Sequence, residues 1–149
     1  VVVTAAGNFG PRSGTVTIPG ISKKVITVGA SDDGNQKDRY GKVGTNYSGR
    51  GPTSECVCKP DLVAPGSYIR SCNGFSQKKN QKAYSVKSGT SMSAPVVSGA
   101  VALLLSKYPD MKNVEVKLRL LMSADDMGKD PTIQGRGLLN IEKLLNPTL

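Results

Sequence analysis

The chain has 149 residues, 38% of them hydrophobic and 21% charged, with twenty Lys and Arg against eleven Asp and Glu and a formal charge of +9. That length supports one core, which takes roughly 68–70% of the unfolded surface out of water. The charge raises nucleic acid as a partner, but the cations are scattered apart from Lys78-Lys79 and Lys82, and aromatic residues are only 5%, so a solvated basic surface and no nucleic-acid partner are expected.

Val1-Val2-Val3-Thr4-Ala5 opens the chain with consecutive β-branched residues, the pattern of a strand buried on both faces of a parallel sheet. The chain does not open on a methionine and shows no signal-like lead-in, which reads as a chain cut from something longer. Ala6-Gly7-Asn8-Phe9-Gly10 is a small-residue turn, Thr15 to Ile18 a short extended piece, and Pro19-Gly20 a turn. Lys24 to Ala30 reads as a second strong strand, and Ser31 to Lys42 as polar surface. Asp61 to Ala64, stopped by Pro65-Gly66, is a further extended stretch. Tyr68 to Cys72 and Ala83 to Lys87 read as paired strands around a basic tip, Asn73 to Lys82.

Cys56, Cys58 and Cys72 are an odd number, and the first two are too close in sequence to bridge comfortably. Free thiols are expected. A zinc site usually wants four Cys or His ligands, and the chain has no histidine, so no metal-ligating residue is proposed from the sequence.

From Ser91 to Leu105 the chain reads as a helix that is apolar nearly all round and therefore packed on several sides, with Pro95 in its first turn, where a missing N–H costs nothing. The apolar run Val96 to Leu105 is too short to span a bilayer, so no membrane partner is expected. Tyr108-Pro109 ends it. Asn113 to Ala124 places Val114, Val116, Leu118, Leu121 and Met122 among Glu115, Lys117 and Arg119, an amphipathic pattern. A short helix from Asn140 to Leu145 follows.

The chemistry centres on Gly89-Thr90-Ser91-Met92, a small-residue turn that delivers one serine onto the first turn of a buried helix. Acyl transfer by serine needs a nucleophile, a base, and donors aimed at the developing oxyanion. Ser91 supplies the first and, through its own N–H and the helix dipole, part of the third. The Asn8 side-chain amide, on a turn after a strand and beside the small Ala6 and Gly7, can supply the rest. The plain readings are a helix-capping serine and a turn asparagine.

Ala5-Ala6-Gly7-Asn8, Ile18-Pro19-Gly20, Ser48-Gly49-Arg50-Gly51-Pro52, Lys59-Pro60-Asp61-Leu62-Val63-Ala64-Pro65-Gly66, Gly89-Thr90-Ser91-Met92 and Gly137-Leu138-Leu139-Asn140 occur in this order. On these motifs nearly the whole chain resembles the C-terminal portion of a subtilisin-like serine peptidase. The resemblance implies an α/β fold, the C-terminal part of a three-layer structure with a mostly parallel sheet and a central helix starting at the nucleophile. It implies one unit, residues 1–149, with Ser91 as nucleophile and Asn8 as side-chain oxyanion donor. The family's triad runs Asp, His, Ser along the chain, so the first two members are expected upstream of Val1, and this chain alone is expected to be inactive. Ser93-Ala94-Pro95-Val96 replaces the family's usual Ala-Ser-Pro-His.

The resemblance also makes Ala6, Gly7, Phe9, Thr17 and Thr90 substrate-binding. Phe9 gives the primary pocket an apolar rim, and Thr17, in place of a usual glycine, shortens it, so Leu or Met is expected in preference to Phe or Tyr. No cofactor follows with certainty; structural calcium or a weak monovalent cation belongs, by resemblance, to the full-length enzyme. The implied partners are protein or peptide substrates, the peptidase's own N-terminal segment, and a second copy through an unpaired edge of the first strand. By resemblance the protein is secreted or extracellular, with an intracellular place left open. The competing reading is a non-catalytic subtilase-like module kept for binding or regulation. Asp32, Asp33, Asp61, Asp125 and Asp126 read as solvated or capping residues, none of them the missing triad acid.

Overall fold

A computed structural model describes residues 1–31, 46–74 and 82–146 of the chain. The expected loop at Ser31 to Lys42, with Asp32 and Asp33, falls largely outside these residues, as does most of the basic tip.

Three strands, β1 (Val3–Ala5), β2 (Ile26–Ala30) and β3 (Leu62–Ala64), form a parallel sheet in the order β1-β2-β3. Val3 pairs with Ile26 and Val28 with Leu62. All five residues of β2 are buried, as expected of a central strand rich in β-branched residues and covered on both faces. β1 behaves otherwise. It lies at the edge and is only half-buried, while Val1 and Val2 are 52% and 60% exposed. The expected two-faced burial of Val1 to Ala5 is absent because no described strand lies beyond β1. Thr15 to Ile18 forms no strand either; it is tied as irregular chain, by Thr15 N–H to the Arg50 carbonyl (2.9 Å) and Thr17 N–H to that of Ala6 (3.0 Å).

Antiparallel strands β4 (Ile69–Cys72) and β5 (Tyr84–Lys87) pair from Ile69↔Lys87 to Cys72↔Tyr84. Only Ile69 and Ser85 are even half-buried, so the hairpin contributes little to the core.

The chain then enters α1 (Thr90–Lys107), which lies on the sheet. Its Val97, Ala100, Val101 and Leu104 are buried at helical spacing. They meet Ile26, Val28, Leu62 and Ala64 of the sheet. Each such side chain stabilises the fold by about 1.5–3 kcal/mol. The opposite face is open: Ser98, Gly99, Ala102 and Leu103 are exposed, Leu103 by 53%. The expectation of a helix packed on several sides is therefore corrected to one packed on one side by the described residues. Pro95 is the sixth helical residue, in the second turn and not the first. Its missing N–H removes a bond to the Ser91 carbonyl that an ordinary residue would make.

α2 (Asn113–Ser123) adds Val116 and Leu120 to the core, whereas Val114, Leu118 and Met122, read from the sequence as part of one apolar stripe, face solvent. α3 (Pro131–Gln134) is a single turn that apolar periodicity does not reveal. Its signal is Asp130-Pro131: the Asp130 carboxylate accepts from the Thr132 N–H at 2.8 Å, and Pro131 occupies the first helical position. α4 (Ile141–Leu145) is capped by Asn140 and buries Leu144. Between α3 and α4, Leu138 bridges two elements. The Val63 N–H donates to the Gly137 carbonyl and the Leu139 N–H to that of Val63, while Leu138 and Asp125 exchange both backbone bonds.

One cluster contradicts the expectation of solvated charges. Lys59 is 1% exposed, and its Nζ donates to Asp61 Oδ2 (2.6 Å), Thr27 Oγ1 (2.9 Å) and the Val25 carbonyl (3.3 Å). Asp61 also accepts from the Thr27 N–H at 2.7 Å and meets Lys117 Nζ at 3.0 Å. It is thus the hub of a buried network joining β2, β3 and α2, not a solvated or capping residue. Burial pushes the Lys59 ammonium below its usual pKa, with the Asp61 carboxylate opposing the shift. Cys56, Cys58 and Cys72 are free and exposed.

Candidate active site

Asn8 and Ser91 belong to elements far apart in sequence, and Thr90 joins them. The Asn8 Oδ1 accepts from the Thr90 N–H at 2.9 Å and from the Thr90 Oγ1 at 3.0 Å. Thr90 Oγ1 in turn accepts from the Gly7 N–H at 3.2 Å. A backbone N–H can only donate, so the atom facing it must be the amide oxygen, and the orientation of the Asn8 side chain is fixed by its partner. Its Nδ2 is left with no acceptor among the described residues.

The helix end is arranged around this contact. α1 has Gly89 at its cap position and no side-chain cap of its own; Asn8 arrives from the turn after β1 and takes the first helical N–H instead. The second, that of Ser91, has no described acceptor, as expected for the orphan donors of a helix N-terminus. Ser91 is exposed, and Gly89 N–H is pinned to the Gly66 carbonyl at 2.9 Å. An uncapped amide, a free backbone N–H and a hydroxyl thus meet at the positive end of an 18-residue helix.

Two glycines make the approach feasible. Gly89 has φ +146°, and a Cβ there would lie 3.1 Å from the Asn8 Nδ2. Gly7 has φ +97°, and a Cβ there would lie 2.6 Å from Thr17 Oγ1.

Of the residues expected to bind substrate, Gly7 and Thr17 lie together and Phe9 is 71% exposed beside them. Ala6 is fully buried behind them. Thr90 is also fully buried, its hydroxyl turned to Asn8 and Gly7. Its position is behind the Asn8 amide, a place that sequence reasoning missed although Thr90 directly precedes Ser91. Asp125 and Asp126 are engaged elsewhere: Asp125 with Lys143 (2.6 Å) and Asn140 (2.8 Å), Asp126 with Gln134 (2.6 Å).

A known family shares this frame. The model of the subtilase family, peptidase family S8, matches residues 1–137. The chain belongs to the subtilase family. It is 43% identical over 152 residues to the serine protease AprX of Bacillus subtilis (strain 168), covering 95% of this chain and 34% of that protein. Against subtilisin DY of Bacillus licheniformis it is 35% identical over 144 residues, 95% of this chain and 45% of that protein. Among solved structures, fervidolysin from Fervidobacterium pennivorans superposes with a TM-score of 0.69 at 29% identity, over 100% of this chain and 23% of that one. The prenylagaramide maturation protease PagA does so with 0.69 at 30%, over 97% and 50%. The subtilase chain thus has a subtilisin-like α/β fold, and it spans less than half of the length of the curated relatives AprX and subtilisin DY.

Proposed function

We propose that this subtilase chain carries the nucleophile and the oxyanion site of a serine endopeptidase. Ser91 attacks the scissile carbonyl, and Asn8 Nδ2 and the Ser91 N–H receive the developing oxyanion. With no histidine in the chain, the base and its orienting carboxylate come from a segment N-terminal to these residues, and the chain by itself does not turn over. That segment covers the open face of α1 at Leu103 and the free edge of β1. The observation that carries the reading is the pair of donors from Thr90 that fixes Asn8 Oδ1 and leaves Nδ2 free beside Ser91. A turn asparagine kept for backbone conformation alone would not need both.

Gly7, Phe9 and Thr17 form the wall, rim and floor of the primary pocket, which favours Leu or Met over Phe and Tyr.

The experiment is steady-state kinetics on the full-length protein. Ser91→Ala abolishes hydrolysis of a peptide ester. Asn8→Ala lowers kcat by about 10²–10³ with little change in KM, the range found for the side-chain donor of subtilisin itself. An unchanged kcat in Asn8→Ala removes it from the mechanism.

A further inference from the structure

The formal charge of +9 is not spread over the chain. No Asp or Glu occurs between Val1 and Ser31 or between Leu62 and Pro109, and all eleven lie in residues 32–61 and 110–149. Eleven of the twenty cations share the acid-bearing segments and balance them; the remaining nine, which account for the whole +9, lie in the carboxylate-free ones. Those are the segments that build β1, the Asn8 turn, the β4–β5 hairpin and α1. Lys23, Lys24 and Lys107 sit at the opposite end, where β2 begins and α1 stops, but Arg70, Lys82 and Lys87 belong to the described part of the hairpin segment.

The hairpin has the build of a surface and not of a support. Two strands of four residues are at best marginally stable by themselves, and these bury almost nothing. The hairpin is nevertheless tied to the nucleophile end of α1, by the Tyr68 N–H to Ser88 Oγ (2.8 Å) and the Gly89 N–H to the Gly66 carbonyl (2.9 Å). β5 ends at Lys87, four positions before Ser91. The strand register puts Arg70 opposite Val86 on one face and Lys87 opposite Ile69 on the other, so both faces of the ribbon are cationic. Arg70 lies 4.8 Å over the Tyr84 ring, which holds its guanidinium along the strand. No carboxylate of the hairpin segment neutralises any of these groups, and the positive helix end beside them adds to the same field.

We propose that the strands β4 and β5 are the docking surface for an acidic segment of the polypeptide substrate next to the scissile bond. This rests on the peptidase reading of Ser91 and names the substrate class for it: polypeptides with Asp or Glu within a few residues of the cleaved bond. The attraction acts on encounter as well as in the complex, so it fades with added salt.

The test uses the full-length peptidase and matched peptides that share the residue before the cleaved bond and carry Asp-Glu or Ala-Ser at the flanking positions on both sides of it. Cleavage of the Ala-Ser peptide, abolished by Ser91→Ala, reports on the peptidase reading; the ratio of the two kcat/KM values reports on the docking surface. A ratio of about three- to tenfold for the acidic peptide at low salt is expected, the size that two exposed ion pairs supply, and it shrinks towards one as ionic strength rises. In Arg70→Glu/Lys87→Glu the ratio inverts. A ratio near one in the unaltered enzyme, or one that survives the double reversal, overturns the proposal with the peptidase reading intact. A single-stranded oligonucleotide whose affinity is lost in the double variant, while the peptide ratio stays put, reassigns the surface to nucleic acid and overturns it as well.

Discussion

Two polar clusters stand at opposite ends of the same parallel sheet, and they are finished differently. At the end where β2 and β3 begin, Lys59, Asp61, Thr27 and Lys117 supply one another's donors and acceptors until every charge has a partner. Past the end of β1, Asn8, Thr90 and Gly7 bond among themselves on one side only, and the Asn8 Nδ2 and the Ser91 N–H are turned outwards without acceptors among the described residues. A saturated cluster can only hold the fold together. A cluster with donors left over has chemistry available, and it lies beyond the C-terminal end of a strand, where ligands of open α/β sheets bind.

The contrast breaks most severely at Asp61. Asp61→Ala leaves the Lys59 ammonium buried without its counter-ion, and a loss of about 3–5 kcal/mol in unfolding free energy is expected, read by chemical denaturation. The same change at the outward cluster, Ser91→Ala, is expected to leave the denaturation midpoint unmoved. Equal losses from the two would erase the distinction.

Next in size is Gly89→Ala. Its Cβ would press on Asn8 Nδ2 at a φ that L residues rarely adopt, so kcat in the full-length enzyme should fall about tenfold or more, with a stability cost of about 1–3 kcal/mol. If only stability falls, the Asn8 amide is not where the oxyanion forms.

Ser93 sharpens the comparison from the other side. It is fully buried in the first turn of α1, and its Oγ has no partner among the described residues. Ser93→Ala removes a hydroxyl that was desolvated without compensation, so unfolding free energy should rise by about 1–3 kcal/mol. A loss on thermal denaturation would mean that the hydroxyl is satisfied.

The smallest effect is acid sensitivity between α2 and α3. Hydrogen bonds from Lys143 and Asn140 to Asp125, from Gln134 and Gly128 to Asp126, and from Thr132 to Asp130 hold all three carboxyls below the usual pKa. A depressed folded-state pKa stabilises the fold above the unfolded value, near 3.9, and that contribution is lost as pH falls through the folded values. Melting temperature should therefore drop below pH 4 by less in Asp125→Asn/Asp126→Asn than in the parent. At the saturated cluster the slope has the same sign in another window: Lys59 has a lowered pKa, so stability rises with pH from its folded value towards 10.5.

Much of this was legible in the residues. The β-branched run at Val25 to Val28 announced β2, the Pro65-Gly66 stop marked the end of β3, and the Gly-Thr-Ser turn marked the start of α1. What escaped depended on long-range company. Nothing local distinguishes Lys59 from a surface lysine, because its burial is decided by Thr27 and Val25, more than thirty residues away. The apolar circumference of α1 was read correctly, but composition cannot say which face the described residues leave uncovered. The resemblance puts Thr90 at the substrate, whereas its hydroxyl turns inwards to Asn8 and Gly7. α3 was lost to its brevity, a single turn whose only trace is a cap.

Asn8 and Thr90 are separated by 82 positions. Closing a loop of that length is entropically costly, and the cost must be met before the contact returns anything. No local stretch of the chain can therefore assemble the corner ahead of the rest. During synthesis Ser91 leaves the ribosome with Asn8 already made, but the two come together only when α1 settles across β1 and β2. In the proposed peptidase, cutting power would thus arrive last, after the chain that carries Ser91 has left the extended state in which it would itself be a substrate.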